Sequence, residues 1–316
     1  MAAPTLLLRR LLGAAPLLFV VSFAVFLLVG LAPGDPAARL AGDNPTQEQV
    51  EAIRKALNLD APLLQRYGLW LAGVARGDLG RSLATTESVT DLLWRRAPIT
   101  ISLTSLALTI SVVIGMVGGV VAAVWKDSFV DRIVTVLASL GLALPAFWVA
   151  LILIVPFAIN RNWFPALGYE PLSSGVFAWL RSLTLPAVTL SLLPSAEMAL
   201  QVRAALIETL EKDYIVAARA RGLSVLSITL KHALKNAAIP VVTVLGFRIA
   251  QLLGGSVVIE SVFALNGLGT LAITAALASD MPVLLGLTML TTLTVIVVNF
   301  LVDASYLYFS PKGRQS

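Results

Sequence analysis

Long apolar runs constrain the folding of this chain more than any other feature of its sequence. A helix needs about 20 consecutive apolar residues to cross the hydrocarbon core of a bilayer. Six runs reach about that length, at 11–31, 99–124, 130–159, 184–206, 238–259 and 283–308. Because backbone groups in lipid must be satisfied within their own segment, each run is predicted to be helical. The sequence therefore predicts an all-α polytopic membrane protein with six transmembrane helices, the third kinked at Pro145 and Pro156.

The composition agrees with this class and excludes several others. Of the 316 residues, 58% are hydrophobic and 13% are charged, whereas an average soluble domain has about 25% charged residues. The chain has no cysteine, which excludes disulfides and thiolate chemistry. A zinc site needs several convergent ligands, so the single histidine, His232, predicts no metal site. The net charge of +5 lies mainly in loops, where it sets topology, so no nucleic-acid partner is expected.

The distribution of cations predicts the orientation of the six helices. The loop Glu260–Pro282, between the last two runs, contains no Lys or Arg. The loop between runs four and five is rich in cations: Arg203, Lys212, Arg219, Arg221, Lys231 and Lys235. Cytoplasmic loops carry an excess of cations, so this loop and both termini are predicted to be cytoplasmic.

The first loop, 32–98, is then extracytoplasmic and is predicted to be a small folded insertion. A helix is predicted at Pro45–Leu57, with Asn44 as its N-cap and Glu48 completing a capping box. Residues 1–97 therefore form one segment, a first transmembrane helix followed by this insertion.

The basic cytoplasmic loop has the pattern of two helices joined by a glycine. Arg203–Arg221 favours a helix, and Gly222 permits the positive φ that ends one. Ser224 is placed to N-cap a second helix, which should end before Pro240. One apolar face repeats every four residues: Leu206, Leu210, Tyr214 and Ala218. Such a segment either lies on anionic lipid or docks into a groove on a soluble partner.

Several motifs resemble one family. The stretch AARARGLSVLSITLKHALKNAAIPVV, from Ala217, resembles the EAA-type coupling loop of bacterial ABC importer permeases, in the form found in the dipeptide, oligopeptide and nickel branch. Further motifs of that branch occur in the same order: LAPGDP at 31–36, LDAPLLQRYGLWL at 59–71, GDLGRS at 77–82, LALPAFW at 142–148, DYIVAARARGL at 213–223 and ESVFALNGLG at 260–269. The chain resembles the B-type subunit. It departs from the broader consensus at Val216, where a Glu is usual.

The resemblance implies an architecture and a set of partners. It implies the type I ABC importer permease fold, with a permease core of five helices at 98–309, a coupling loop at about 207–237 and a cytoplasmic tail at 310–316. The implied partners are a homologous C-type permease subunit, two cytoplasmic ATPase subunits or domains, and an extracytoplasmic substrate-binding protein. The implied location is the bacterial cytoplasmic membrane, which the chain crosses several times.

The resemblance also assigns the contact with the ATPase and the source of energy. The implied coupling residues are Asp213, Tyr214, Ala217, Ala218, Arg219, Arg221, Gly222, Leu223 and Leu226. The sequence contains no GxxxxGK[ST] phosphate-binding loop. The chain is therefore expected to bind no cofactor and to be no enzyme, while ATP and Mg²⁺ bind to the partner ATPases.

Two charged residues lie inside predicted spans. Glu197 and Arg248 both fall about nine or ten residues from the cytoplasmic ends of their spans, or roughly 14 Å deep at 1.5 Å per residue. Because a charge at mid-membrane is costly, we hypothesise that they pair. Gln201 and Gln251 extend the polar faces of the same spans, which are predicted to line the pathway. The alternative is a purely structural ion pair.

The loop Glu260–Pro282 is predicted to contain a helix at the outer mouth. Gly267 and Gly269 are expected to break the preceding helix, and Leu268–Ala278 is too short to span. In the family resembled, this region helps to form the external gate, which implies roles for Glu260, Phe263, Gly267 and Gly269. A packed surface helix is the alternative.

Two other functions compete with an ATP-driven importer of di- or oligopeptides. An ion-coupled secondary transporter would work alone and would carry more intramembrane acids. A membrane-embedded enzyme is disfavoured, because no nucleophile, base and orienting group occur at a readable spacing. Within the importer family, the residues leave dipeptides, oligopeptides, glutathione and nickel chelates open as substrates.

Overall fold

The fold is described from a computed structural model of the chain. The structure describes residues 3–31, 37–38, 41, 45–56, 60–224, 227–229 and 234–309. Leu226, Asn44 and the tail 310–316 therefore lie outside the described residues, and their predicted roles stay predictions.

The described part of the chain is mainly helical and contains no β-sheet, so the all-α prediction is confirmed at that level. Its eleven α-helices are α1 (Ala3–Gly30), α2 (Gln47–Ala56), α3 (Leu63–Val74), α4 (Val89–Val124), α5 (Phe129–Ala143), α6 (Ala146–Ile154), α7 (Val176–Leu210), α8 (Asp213–Ala220), α9 (Leu234–Val262), α10 (Leu268–Leu277) and α11 (Met281–Phe309). Among the described residues, three helices are long and apolar enough to cross a membrane: α4, α7 and, over Met281–Leu301, α11. The bent pair α5 and α6 makes up to four.

The predicted third span is two helices instead of one. The break falls at Pro145, as predicted, because Leu144 and Pro145 both have extended backbone. The two helical segments are bent by 103°. This is far more than the kink that a proline inside a continuous helix produces. Pro156 lies in a π-helical turn, Val155–Ile159, that extends α6.

The structure corrects two predicted helix ends. The capping box of α2 is made by Thr46 and Gln49: the Gln49 N–H donates to Thr46 Oγ1 at 3.3 Å, and the Thr46 N–H donates to Gln49 Oε1 at 3.0 Å. The prediction that Glu48 completes this box is wrong, because the pattern T-x-x-Q begins two residues after Asn44. The predicted helix end before Pro240 is also wrong, since α9 begins at Leu234 and runs through that proline.

The chain divides into two compact units, 1–98 with 266–296, and 99–265 with 297–316. In the first unit, α3 packs on α1 through Tyr67. The Tyr67 hydroxyl lies 2.9 Å from Ser22 Oγ, and its ring meets Phe19, Phe23 and Phe26 edge-on at centroid distances of 5.2 to 5.6 Å. The insertion thus contributes a helix to the packing of the first apolar helix.

A buried carboxylate organises another part of this first unit. Asp280, which is 2% exposed, accepts hydrogen bonds from Ser82 Oγ at 2.5 Å and from the N–H groups of Leu83 and Ala84 at 3.1 and 3.3 Å. It also caps α11 by accepting from the Val283 N–H at 3.4 Å. The loop that follows the GDLG sequence is therefore held by specific hydrogen bonds.

The second unit is organised around α7, which packs closely on α4. A Cβ on Gly115 would lie 2.5 Å from the Cβ of Met198, and one on Gly119 would lie 2.5 Å from the Cβ of Val202. Two glycines at this spacing let helix backbones approach closely, as small residues do between membrane helices. Only glycine fits at these two contacts.

Candidate functional site

The predicted coupling segment begins as a short helix with two unlike faces. Ile215 is completely buried, whereas Tyr214 is 45% exposed. The structure also leaves Asp213, Ala217, Arg221 and Leu223 exposed. Ala218 and Arg219 lie in the same helix, α8. The exposed residues make this segment available for a partner.

The helix is interrupted between Leu210 and Asp213, where the sequence predicted one continuous helix. α7 ends at Leu210 and α8 starts at Asp213, so the predicted helix Arg203–Arg221 is two helices. Asp213 explains the new start, because a carboxylate in the first turn interacts favourably with the helix dipole. The chain therefore turns between α7 and α8.

The turn after α8 agrees with its prediction. Gly222 has φ of +80°, which confirms the predicted left-handed residue. An added Cβ would have no neighbour within 4 Å, so only backbone conformation requires glycine here. Ser224 then accepts a hydrogen bond from the Ser227 N–H at 3.3 Å, as predicted for an N-cap. Leu226 lies outside the described residues.

An ion pair that the sequence did not predict lies close to this segment. Arg203, on α7, binds Asp131, on α5, through both ends of its guanidinium: Nε to Oδ1 at 2.6 Å and Nη2 to Oδ2 at 2.7 Å. A second contact joins Lys126 Nζ to Glu211 Oε1 at 2.8 Å. The hydrogen bond to this carboxylate raises the pKa of the Lys126 ammonium above its ordinary value. Asp131 lies at the predicted cytoplasmic end of run three, and Arg203 lies at that of run four. These opposite charges were the signal in the sequence that could have identified the Asp131–Arg203 pair.

The two charged residues inside the spans are brought together. Nη1 of Arg248 contacts Glu197 Oε2 as an ion pair and also donates to Gln251 Oε1. The contact with Glu197 lacks the alignment of a hydrogen bond, and the Arg248 Nε is buried without a hydrogen-bond partner in the described structure. Gln201 is exposed one turn beyond Glu197 on α7. Pathway lining by these four residues stays a prediction.

In the second unit, the predicted gate residues are buried. Glu260 is fully buried and accepts a hydrogen bond from Thr100 Oγ1 at 2.6 Å. Phe263 is 1% exposed, and its carbonyl accepts a hydrogen bond from the Gly168 N–H at 2.9 Å. Their burial agrees with a packed helix end, and a gating role stays a prediction.

In the first unit, the predicted short helix is present as α10, ten residues long. Gly267 is its N-cap residue, which places a break where it was predicted. The predicted break at Gly269 is wrong, because this glycine is a buried residue in the first turn of α10.

No group of three or more potential metal ligands occurs among the residues that the structure describes.

Family models and known proteins match the chain over nearly its whole length. The model described as binding-protein-dependent transport system inner membrane component matches residues 115–315, and the corresponding N-terminal model matches residues 4–104. A putative peptide transport system permease protein of Brucella abortus is 41% identical over 98% of both chains. A probable peptide ABC transporter permease protein of Sinorhizobium fredii is 38% identical over 98% of both chains. The glutathione transport system permease protein GsiC of Escherichia coli is 37% identical over 97% of both chains.

A solved structure shares the fold at lower sequence identity. A chain of the inward-facing MetNI methionine ABC transporter aligns with a TM-score of 0.56 and 20% identity, covering 70% of this chain and 97% of that one. The two family models match most of the chain, and the relatives are similar in sequence over nearly its full length. We conclude that the chain belongs to the binding-protein-dependent transport system inner membrane components, the multi-pass permease subunits of ABC importers.

Proposed function

We propose that this chain is one of two homologous membrane subunits of an ABC importer for di- or oligopeptides. The observation that carries the proposal is its 41% and 38% identity, over nearly the full length, to relatives named as peptide transport permeases. In the proposal the chain crosses the membrane six times with both termini in the cytoplasm, and a C-type subunit completes the pathway. A relative named as a glutathione permease makes glutathione a second candidate substrate.

The proposed energy source is ATP with Mg²⁺, bound to two cytoplasmic ATPase subunits. The coupling residues proposed to contact them lie on α8 and in the turn after it: Asp213, Tyr214, Ala217, Ala218, Arg219, Arg221, Gly222, Leu223 and Leu226. The exposed face of α8 supports this proposal, since a helix-in-groove contact needs a solvent-exposed face beside a buried one.

Coupling requires that the ATPase bind the two states of the permease with different affinity. Shifting a pathway from 1:99 to 99:1 needs about 5.5 kcal/mol of such difference. The joint between α7 and α8 and the left-handed turn at Gly222 give the contact segment a defined shape. Such a segment can transmit closure of the ATPases, whereas a loop without fixed structure would absorb it.

The substrate path is proposed to pass the polar faces of α7 and α9, which carry Glu197, Gln201, Arg248 and Gln251. The residues proposed for the outer gate are Glu260, Phe263, Gly267 and Gly269. An extracytoplasmic binding protein is proposed to deliver the peptide.

Uptake into proteoliposomes tests the function. The chain is reconstituted with its permease partner, its ATPases and its binding protein, and labelled dipeptides, longer peptides and glutathione are offered. Import that requires ATP and the binding protein is expected. Uptake by the chain alone, driven by an ion gradient without ATP, would instead support the secondary-transporter alternative.

Gly222→Ala tests the coupling segment within the same assay. The added methyl group meets no neighbour but requires an L-residue at φ of +80°, so the turn is expected to shift at a cost of about 1 kcal/mol. Peptide-stimulated ATP hydrolysis should fall while the complex still assembles. Gly68→Ala is the matched control, because it also lacks close neighbours but has no positive φ. Equal behaviour of the two variants would contradict the proposed role of the turn.

A further inference from the structure

Two ion pairs join the start of α5 and the turn before it to the end of α7. We call them the α5–α7 clamp: Asp131 with Arg203, and Lys126 with Glu211. The first pair is protected and the second is exposed. Side-chain exposure is 5% for Asp131 and 28% for Arg203, against 45% for Lys126 and 66% for Glu211. The Asp131–Arg203 pair is therefore the part of the clamp that can act as a fixed link.

The hydrogen bonding of Asp131 restrains the carboxylate from several directions. Besides the two guanidinium bonds, its Oδ2 accepts from the Asp127 N–H at 3.0 Å, and its Oδ1 accepts from Thr135 Oγ1 at 3.4 Å. Ser128 Oγ accepts from the Asp131 N–H at 3.3 Å and caps α5. Bidentate guanidinium–carboxylate contacts fix orientation as well as distance. Asp131 thus joins the turn, the cap and the first turn of α5, and Arg203 binds that carboxylate from α7.

The neighbouring helix is held to α7 by a different means. Gly119 of α4 leaves no space for a Cβ, which would lie 2.7 Å from the carbonyl oxygen of Ala199 and 2.5 Å from the Cβ of Val202. These contacts are immediately before Arg203 on α7. One short stretch of α7 therefore packs on α4 and binds the start of α5.

That stretch lies next to the proposed coupling segment. Glu211, of the clamp, precedes α8 by two residues, and the Ile215 N–H donates to the Lys212 carbonyl at 2.9 Å. Ile215 is fully buried, so α8 is packed into the protein five residues after the end of α7. Because only Glu211 and Lys212 separate the two helices, a displacement of α8 would act on the end of α7, seven residues from Arg203.

We infer that Asp131 and Arg203 are positioning residues that make the start of α5 move as one body with the end of α7, and so pass movement of the coupling segment to a second helix. This inference rests on the proposed function and adds a defined route by which ATPase closure reaches the spans. Neither Asp131 nor Arg203 is among the residues proposed to contact the ATPase. Breaking the pair should therefore uncouple ATP use from transport without preventing assembly.

The first test measures ATP hydrolysed per peptide imported by the complete reconstituted complex. Arg203→Ala and Asp131→Ala are each expected to raise this ratio at least about fivefold, the lower end of typical allosteric coupling. Reversal of the pair, Asp131→Arg with Arg203→Asp, should return the ratio part of the way to wild type. Arg95→Ala is the matched control, because it also removes an arginine ion pair, the exposed one with Glu87, outside the coupling loop. An unchanged ratio in both single variants would overturn the inference.

If a single alanine variant fails to assemble, Arg203→Lys takes its place. It keeps the charge but cannot make the bidentate contact. A ratio between those of the wild type and the reversed pair is expected, and a wild-type ratio would count against the link.

The second test does not depend on transport. Because the chain has no cysteine, Phe129→Cys on α5 and Ala204→Cys on α7 give two defined spin-label sites in this subunit. With the pair intact, the short-range dipolar broadening should be equal in the nucleotide-free and the ATP–vanadate states. With Arg203→Ala it should differ between those states. State-dependent broadening in the intact protein would refute the link, whereas failure of ATP-driven import by the wild type would refute the proposed function alone.

Discussion

The ion pairs Asp131–Arg203 and Glu197–Arg248, both on α7, differ in how completely their charges are satisfied. Asp131–Arg203 is bidentate, and the carboxylate accepts further hydrogen bonds from its own turn. Glu197–Arg248, less than two turns away along α7, is a single contact that shares its guanidinium nitrogen with Gln251. Its Arg248 Nε and Glu197 Oε2 are buried without a hydrogen bond among the described residues.

The difference indicates that the Asp131–Arg203 pair stabilises one fixed arrangement, whereas the Glu197–Arg248 pair can exchange partners. A buried polar atom without a hydrogen bond carries a desolvation cost of about 1–3 kcal/mol. An added hydrogen-bond partner, such as water, would therefore stabilise the Arg248 Nε and the Glu197 carboxylate. A new partner would add little stability to Asp131–Arg203, because the present contacts already satisfy the Asp131 carboxylate. We therefore expect Glu197–Arg248 to be the pair that can exchange partners and Asp131–Arg203 to be the pair that stays formed.

The largest expected effect breaks the satisfied pair. Arg203→Ala leaves the Asp131 carboxylate buried without its counter-ion, which should destabilise the protein by about 3 kcal/mol. The measurement is thermal unfolding in detergent, followed by circular dichroism. Asp131→Ala should cost less, because Arg203 is partly exposed and can be hydrated. The reverse order would contradict the burial on which the comparison depends.

A somewhat smaller effect is expected from the packing beside that pair. Gly119→Ala introduces a methyl group where no space exists and should cost about 2 kcal/mol through overpacking. Gly118→Ala is the control, because its Cβ would meet its neighbours at 3.6 and 3.7 Å, an ordinary contact. Equal melting temperatures for the two variants would show that α4 does not pack closely on α7 at this position.

Replacing each pair by apolar residues sharpens the comparison. Glu197→Leu with Arg248→Met should change stability by no more than about 1 kcal/mol, because it also removes the unsatisfied atoms. The same replacement of Asp131 and Arg203 should cost more, since the Asp127 N–H and Thr135 lose their acceptor. Peptide uptake by the first double variant then reports on the pathway: unimpaired uptake would identify Glu197 and Arg248 as purely structural.

The smallest expected effect concerns an exposed pair between the last turn of α7 and the connection that follows it. Lys212→Ala removes the contact of Lys212 Nζ with Glu208 Oε1 at 3.6 Å, and should change stability by no more than about 0.5 kcal/mol. The change should vanish in high salt, because exposed pairs are screened. A large effect would mean that burial does not distinguish the pairs of α7.

The sequence predicted the features that depend on local chemistry or on depth. Gly222 has the left-handed conformation that a glycine between two helical patterns suggests, and α10 follows from an apolar stretch too short to span. Counting residues from the ends of two runs placed Glu197 and Arg248 at equal depth, and the structure brings them together.

The sequence did not predict features that depend on the rotation of each helix about its axis or on contacts between distant residues. Asp131 and Arg203 are 72 residues apart, and each alone fits the cationic or capped end of a helix. Depth along the membrane can be counted from sequence, but the direction in which each helix faces cannot, because packing sets it. The size of the bend at Pro145 was missed for the same reason, since a proline permits a break whose angle neighbouring helices decide.

The bend at Pro145 has a consequence for the lipid around the protein. At 1.5 Å per residue, α5 rises about 22 Å, and α6 with its π-helical extension to Ile159 rises about 21 Å. Each is less than the roughly 30 Å of a hydrocarbon core. A turn of 103° prevents the two lengths from adding. The bilayer beside this elbow must either become thinner or give way to adjoining protein. If lipid surrounds this bend, membranes of short-chain lipids should suit the importer best, whereas acyl-chain length should have no effect if adjoining protein covers it.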